Sequence, residues 1–173
     1  MKDSSGIDSS FQPIKPSIQQ WNGRNGNVNG CKFAVIVSQY HLNITGNLLH
    51  GAINTLQQHD VPDTNIEVFW VPGAWELVHA TKMVLQQNKF DAILTFGCVI
   101  RGETSHDQHI NTTVSNSFGR LTLEYNVPIA FGLLTCNTLD QAIARAGGDV
   151  GNKGVEVAKA AIQMLVLQQE ILG

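Results

Sequence analysis

Apolar positions along this chain alternate between two rhythms. Short β-rich runs stand at Phe33-Ala-Val-Ile-Val37, Ile66-Glu-Val-Phe-Trp-Val71, Asp91-Ala-Ile-Leu-Thr-Phe-Gly-Cys-Val-Ile100 and Pro128-Ile-Ala-Phe-Gly-Leu-Leu134. Each predicts a buried strand. Between them the spacing turns helical. Residues 44–59 place Leu48, Leu49, Ala52, Ile53 and Leu56 on one face, with Thr45 near the start and Pro62 beyond the end. Helices are also predicted over 74–87, 107–125, a short 139–146 and a long amphipathic 155–171, with Gly147-Gly148 as a break. Strand then helix, four times over, predicts an α/β fold. It is a three-layer α/β/α sandwich in which a four-stranded parallel sheet is flanked by helices on both faces.

Residues 1–30 follow neither rhythm. They carry Ser, Gly, Asn and Gln with Pro13 and Pro16 and few core-forming side chains. They read as an arm, flexible alone or docked on a neighbour. Residues 31–173 then form a single domain.

Composition narrows the picture. Of the 173 residues 43% are apolar, enough for a core, and only 14% are charged, with a net charge of -3. So low a charged fraction fits a surface partly buried between subunits. No basic run suggests nucleic acid, and no apolar run is long enough to cross a bilayer. Without a charged-then-apolar leader pattern the expectation is a cytoplasmic protein. Cys31, Cys98 and Cys136 are odd in number and widely spaced, so they suggest free thiols in a reducing compartment, not a zinc site or a disulfide framework.

In a parallel sheet of this kind ligands sit beyond the carboxyl ends of the strands, here 38–41, 71–75, 100–106 and 135. Arg101-Gly-Glu-Thr-Ser-His106 follows the third strand. Gly102 allows a tight turn, Glu103 and Thr104 bring N–H and O–H donors, and a helix starts just after. An anion fits there, and His106 can move a proton near neutral pH. A plain surface turn with a helix-start histidine has the same spacing. Arg145 offers a phosphate-binding fork or a helix C-cap. Trp75 and Glu76 offer an aromatic wall and a dipole-favoured carboxylate, or a core Trp with a capping Glu. Tyr40 could stack on a planar ring or stand as a bare loop aromatic, and Phe131 reads by default as core. His106-x-x-His109 lacks further ligands, so no metal site is expected. Gly147–Gly154 fails the phosphate-loop pattern because Lys153 is followed by Gly154.

Taken in order, Tyr40-His-Leu-Asn-Ile-Thr45, Leu48-Leu-His-Gly-Ala52, Val71-Pro-Gly-Ala-Trp-Glu76, Gly97-Cys-Val-Ile-Arg-Gly-Glu-Thr-Ser-His106, Phe131-Gly-Leu-Leu-Thr135, Gln141-Ala-Ile-Ala-Arg145-Ala-Gly and Gly151-Asn-Lys-Gly154 resemble the 6,7-dimethyl-8-ribityllumazine synthase family over about residues 32–170. The resemblance implies the penultimate step of riboflavin biosynthesis. In that step 5-amino-6-(D-ribitylamino)uracil condenses with 3,4-dihydroxy-2-butanone 4-phosphate, with no cofactor and no metal. It implies that His106 transfers protons and that Gly102, Glu103, Thr104 and Arg145 hold the phosphate. Tyr40, Ala74, Trp75, Glu76 and Ile100 would hold the ribitylpyrimidine. Phe131 and Lys153 would reach in from a neighbouring subunit. It further implies a homopentamer or an assembly of pentamers, an N-terminal arm that adds a strand to a neighbour's sheet, and riboflavin synthase as a candidate partner. His41, Trp75, Val78 and Asp107-Gln-His109 depart from the commoner residues around the pocket. A catalytically weak paralogue that binds flavin or forms a shell is the alternative.

Overall fold

The computed structural model describes residues 14–24 and 26–173. The sheet consists of β1 (Phe33–Ser38), β2 (Ile66–Val71), β3 (Ala92–Ile100) and β4 (Ile129–Cys136), in the order β2-β1-β3-β4 with all neighbours parallel. Five helices connect and cover it: α1 (Leu42–Gln58), α2 (Glu76–Leu85), α3 (His106–Tyr125), α4 (Leu139–Arg145) and α5 (Lys153–Leu172). This is the three-layer α/β/α sandwich that the alternation predicts.

Strand pleating sorts the core into two halves. Phe33, Val35 and Val37 of β1, with Leu94, Phe96 and Cys98 of β3, pack with α1 and α5. Ala34, Ile36 and Ile93 turn the other way, toward α2 and α3. Because β1 and β3 are buried on both faces, their sequences read as continuous apolar runs instead of alternating ones. Full burial of a side chain such as Phe96 contributes about 2–3 kcal/mol.

Glycines set two close approaches that position the ligand end of the sheet. A Cβ on Gly97 would lie 2.6 Å from Leu133 Cδ1 and 3.0 Å from Leu77 Cδ1, so the bare β3 backbone lets the start of α2 settle onto the sheet. A Cβ on Gly154 would collide with the Leu48 carbonyl, so α5 begins in backbone contact with α1. Asn152 locks that junction: its side chain accepts from Gly154 N–H at 2.8 Å and donates to the Asn47 carbonyl at 2.9 Å. The segment Gly147–Gly154 therefore builds a scaffold joint.

Element boundaries differ from expectation by a few residues, and a short hairpin is new. Ala146–Gly148 (β5) and Gly151–Asn152 (β6) pair antiparallel, with Gly147 at φ +108 and Gly151 at φ +96. Such short glycine-bearing strands have no hydrophobic rhythm to announce them. Of the arm, residues 1–13 and 25 lie outside the described residues. Residues 22–24 and 26–28 run along α5 of the same chain, where Gly23 N–H donates to Glu170 at 3.1 Å, Gln163 donates to the Asn22 carbonyl at 2.8 Å, and Val28 is buried. No described helix is long and apolar enough to cross a membrane.

Candidate active site

In the strand order β2-β1-β3-β4 the chain runs outward from β1 to β2, then back across to β3. That reversal opens a crevice at the carboxyl ends of β1 and β3. A cleft of about 410 Å³ occupies it. Its lining includes Tyr40, Ala74, Trp75, Glu76, Ile100, Gly102, Thr104 and His106. These segments, spread over the sequence, meet because three strand–helix turns end at one rim.

The first turn holds Tyr40. The Tyr40 N–H donates to the Ser38 hydroxyl at 3.2 Å and to the Pro72 carbonyl at 3.1 Å, and the Gln39 N–H donates to the Val71 carbonyl at 2.8 Å. The loops after β1 and β2 are thereby sewn together. His41 starts α1 in the left-handed region (φ 57, ψ 49), which costs about 1 kcal/mol and is better tolerated by His than by most residues. Buried Thr45 fixes this turn by donating to the Ser38 carbonyl at 2.7 Å. Tyr40 is left 66% exposed, its ring edge-to-face with His41 at 4.7 Å.

The second turn brings Ala74, Trp75 and Glu76. Trp75 is 55% exposed, so it is a wall of the cleft and not a core residue. Glu76 occupies the first turn of α2, where the helix dipole favours a carboxylate. A Cβ on Gly73 would lie 3.1 Å from Glu76 Oε2, so the glycine leaves room for the carboxylate to fold back over the turn.

The third turn is the anion candidate. Arg101 N–H extends the β3–β4 pairing by donating to the Cys136 carbonyl at 2.8 Å, and the chain then leaves the sheet. Gly102 is not in a left-handed conformation, and a Cβ there would meet open space. The turn thus does not depend on glycine's backbone freedom; what Gly102 supplies is bare, approachable backbone. Ser105 precedes α3 without a side-chain cap, and the His106 N–H has only a long 3.5 Å contact to the Thr104 hydroxyl. A 20-residue helix therefore presents under-used N–H groups and a positive dipole end to the cleft, a setting for phosphate. Cys98, also in the lining, has its thiol pushed up to about 12 by burial and by the neighbouring Cys136, so at neutral pH it is no nucleophile.

Four predicted residues stand outside the cleft lining. Glu103 is exposed on the third turn. Arg145 ends α4 beside Cys136, at the same end of the sheet; burial pushes the Cys136 thiol up and the Arg145 guanidinium opposes that shift. Phe131 lies on edge strand β4, 43% exposed and edge-to-face with Phe118 at 6.0 Å, so it is not the core residue its strand position suggests. Lys153 opens α5 and pairs with Glu156 at 2.6 Å. Sequence reasoning placed Asp107 only among the departures around the pocket and did not single out Ile110; both line the cleft. Their i, i+3 spacing after His106, continued by buried Val114, was the available signal. Among the described residues no three His, Cys, Asp or Glu converge as metal ligands.

Fold and cleft together define a parallel α/β protein with a hollow at its topological switch point and an uncapped helix start facing it. Comparison with known proteins makes this specific. The family model described as 6,7-dimethyl-8-ribityllumazine synthase matches residues 30–169. The chain is 43% identical to the 6,7-dimethyl-8-ribityllumazine synthase of Kosmotoga olearia, over 82% of this chain and 91% of the relative. It is 42% identical to that of Rhodopirellula baltica, over 90% and 99%, and 41% identical to that of Phocaeicola vulgatus, over 84% and 86%. The chain belongs to the 6,7-dimethyl-8-ribityllumazine synthase family of riboflavin-biosynthesis enzymes.

Proposed function

We propose that this protein condenses 5-amino-6-(D-ribitylamino)uracil with 3,4-dihydroxy-2-butanone 4-phosphate to form 6,7-dimethyl-8-ribityllumazine, releasing phosphate and water. The observation that carries this reading is the cleft itself. One hollow joins an exposed aromatic at position 40, the Ala74-Trp75-Glu76 turn and the uncapped start of α3 with His106.

In this reading Tyr40 stacks on the pyrimidine beside Ile100, while Ala74, Trp75 and Glu76 hold the ribityl chain. Gly102, Glu103, Thr104 and Arg145 hold the phosphate. The pyrimidine 5-amine attacks the ketone carbon, and water leaves as the imine forms. The C–O bond to phosphate then breaks, giving an enol that tautomerises to a carbonyl. The ribityl-bearing nitrogen attacks that carbonyl, and a second dehydration closes the ring. His106 carries the protons between nitrogen, oxygen and carbon in these steps, which contributes about 10²–10⁴-fold. Holding two substrates in register contributes several kcal/mol more.

Phe131 and Lys153 complete the pocket from an adjacent subunit of a homopentamer or an assembly of pentamers. Their outward placement supports this, as does the apolar surface around β4 and α5, with Leu123 86% exposed and Met164 also exposed. Riboflavin synthase, which would consume the product, is a candidate partner. Incubating the protein with both substrates tests the reaction. Lumazine fluorescence that appears only with both present is expected, and its absence would overturn the reading.

A further inference from the structure

The cleft contains a carboxylate that no group among the described residues of the chain uses. Asp107 lines it, in the first turn of α3. Its Oδ1 is shielded from solvent without a hydrogen-bond partner, and among the described residues nothing donates to or pairs with the carboxylate. One turn on, Asn111 Oδ1 is likewise buried and unpartnered. Two acceptors on one helix face cannot satisfy each other, and orphaned acceptors of this kind are uncommon because they forfeit water without a replacement. Unless the Asn111 amide turns its NH2 toward Asp107, the donor comes from outside the helix.

The direction of that donor follows from the packing. Val114, Phe118 and Leu121 of α3 are buried against Leu77 and Ala80 of α2 and the sheet. Asp107 and Ile110 extend the same face upward into the cleft, opposite the start of α2, where Trp75 and Glu76 stand. A dianionic phosphate is repelled by a carboxylate, whereas a polyol offers hydroxyl donors with no charge.

We infer that Asp107 is a specificity-determining residue that accepts a hydroxyl hydrogen bond from the ribityl chain, forming with Glu76 a pair of carboxylates around the polyol. This rests on the proposed function for the identity of the substrate. Binding of a ribityl-bearing pyrimidine analogue, and of the same analogue without the chain, would be measured on wild type, Asp107→Ala and Asp107→Asn. Substrate KM values and thermal unfolding would be measured alongside. Asp107→Ala should weaken the ribityl analogue about tenfold, the effect of removing a hydrogen bond to a charged group. Asp107→Asn, which keeps one acceptor, should lose less. The chainless analogue and the KM for butanone phosphate should not move. Equal losses for both analogues would overturn the inference. So would unchanged ribityl affinity with a lowered melting temperature, which would instead indicate that a rotated Asn111 amide serves Asp107 within the helix. Selective ribityl binding by a wild type that forms no lumazine would sink the proposed reaction while sustaining this inference. A wild type that binds neither analogue would overturn both.

Discussion

The carboxyl rim of the sheet is finished over β1 and β3 and unfinished beside β4. Over β1 and β3, the turns after β1 and β2 are tied to each other by backbone hydrogen bonds, the turn after β3 is anchored to the end of β4, and Tyr40, Trp75, Glu76 and His106 share one hollow. Beside β4, Phe131 (early in that strand) and Lys153 stand outside the hollow, and Arg145 is exposed past the strand's end. The first region is what a single chain can organise from its own topology. The second consists of side chains that one chain leaves outside the hollow and that, in the proposed reading, a neighbouring subunit brings to it. Chemistry and completeness of the pocket are therefore separable by mutation.

The largest effect belongs to the finished region. His106→Ala should slow lumazine formation about 10²–10⁴-fold while leaving binding of a pyrimidine analogue nearly intact. Paired rate and binding measurements check this, and an unchanged rate would remove His106 from its role. Next, at the rim edge, Arg145→Ala should raise the KM for butanone phosphate roughly tenfold or more, with little change for the pyrimidine. A matching loss for both substrates would place Arg145 in the scaffold. Gly154→Ala acts on the joint beneath: crowding the Leu48 carbonyl should cost about 1–3 kcal/mol in denaturant unfolding.

The smallest effect concerns Cys98, in the finished region but without a chemical role. Folded, its thiol stays neutral up to about 12, whereas in the unfolded chain it ionises near its ordinary value of 9.0. Ionisation therefore favours the unfolded state as pH rises from 9 to 12, and the contribution of this site to stability is complete only below that window. Cys98→Ala should flatten the alkaline loss of stability there, as read by unfolding at stepped pH.

Much of the fold was legible because buried strands and amphipathic helices carry long apolar patterns. β2 matches its expected bounds, and α3 begins one residue before them. Helix starts were harder. α1 begins at Leu42, before the periodic residues, because the left-handed turn at His41 sets it. α5 begins at Lys153 because Asn152 caps it and Gly154 fits by lacking a side chain, a role that hydrophobic spacing does not register. In the site, the turn after β3 was legible as a turn at a helix start on the ligand end of the sheet, but its geometry does not use the backbone freedom of Gly102. The exposure of Phe131 was hidden too, since an apolar residue in an edge strand looks the same in sequence whether it faces a core or a partner. Asp107 stood out only as a departure near the pocket, without a role, because an acidic residue at a helix start ordinarily needs no ligand to explain it.

Mixed assembly tests most directly whether the unfinished region is completed by a second chain. His106→Ala subunits and Phe131→Ala/Lys153→Ala subunits, each poorly active alone, would be unfolded together and reassembled. If sites form between neighbours, random mixing rebuilds about one quarter of them intact, and lumazine formation should rise well above either parent. Activity equal to the sum of the separate parents would contradict a shared site.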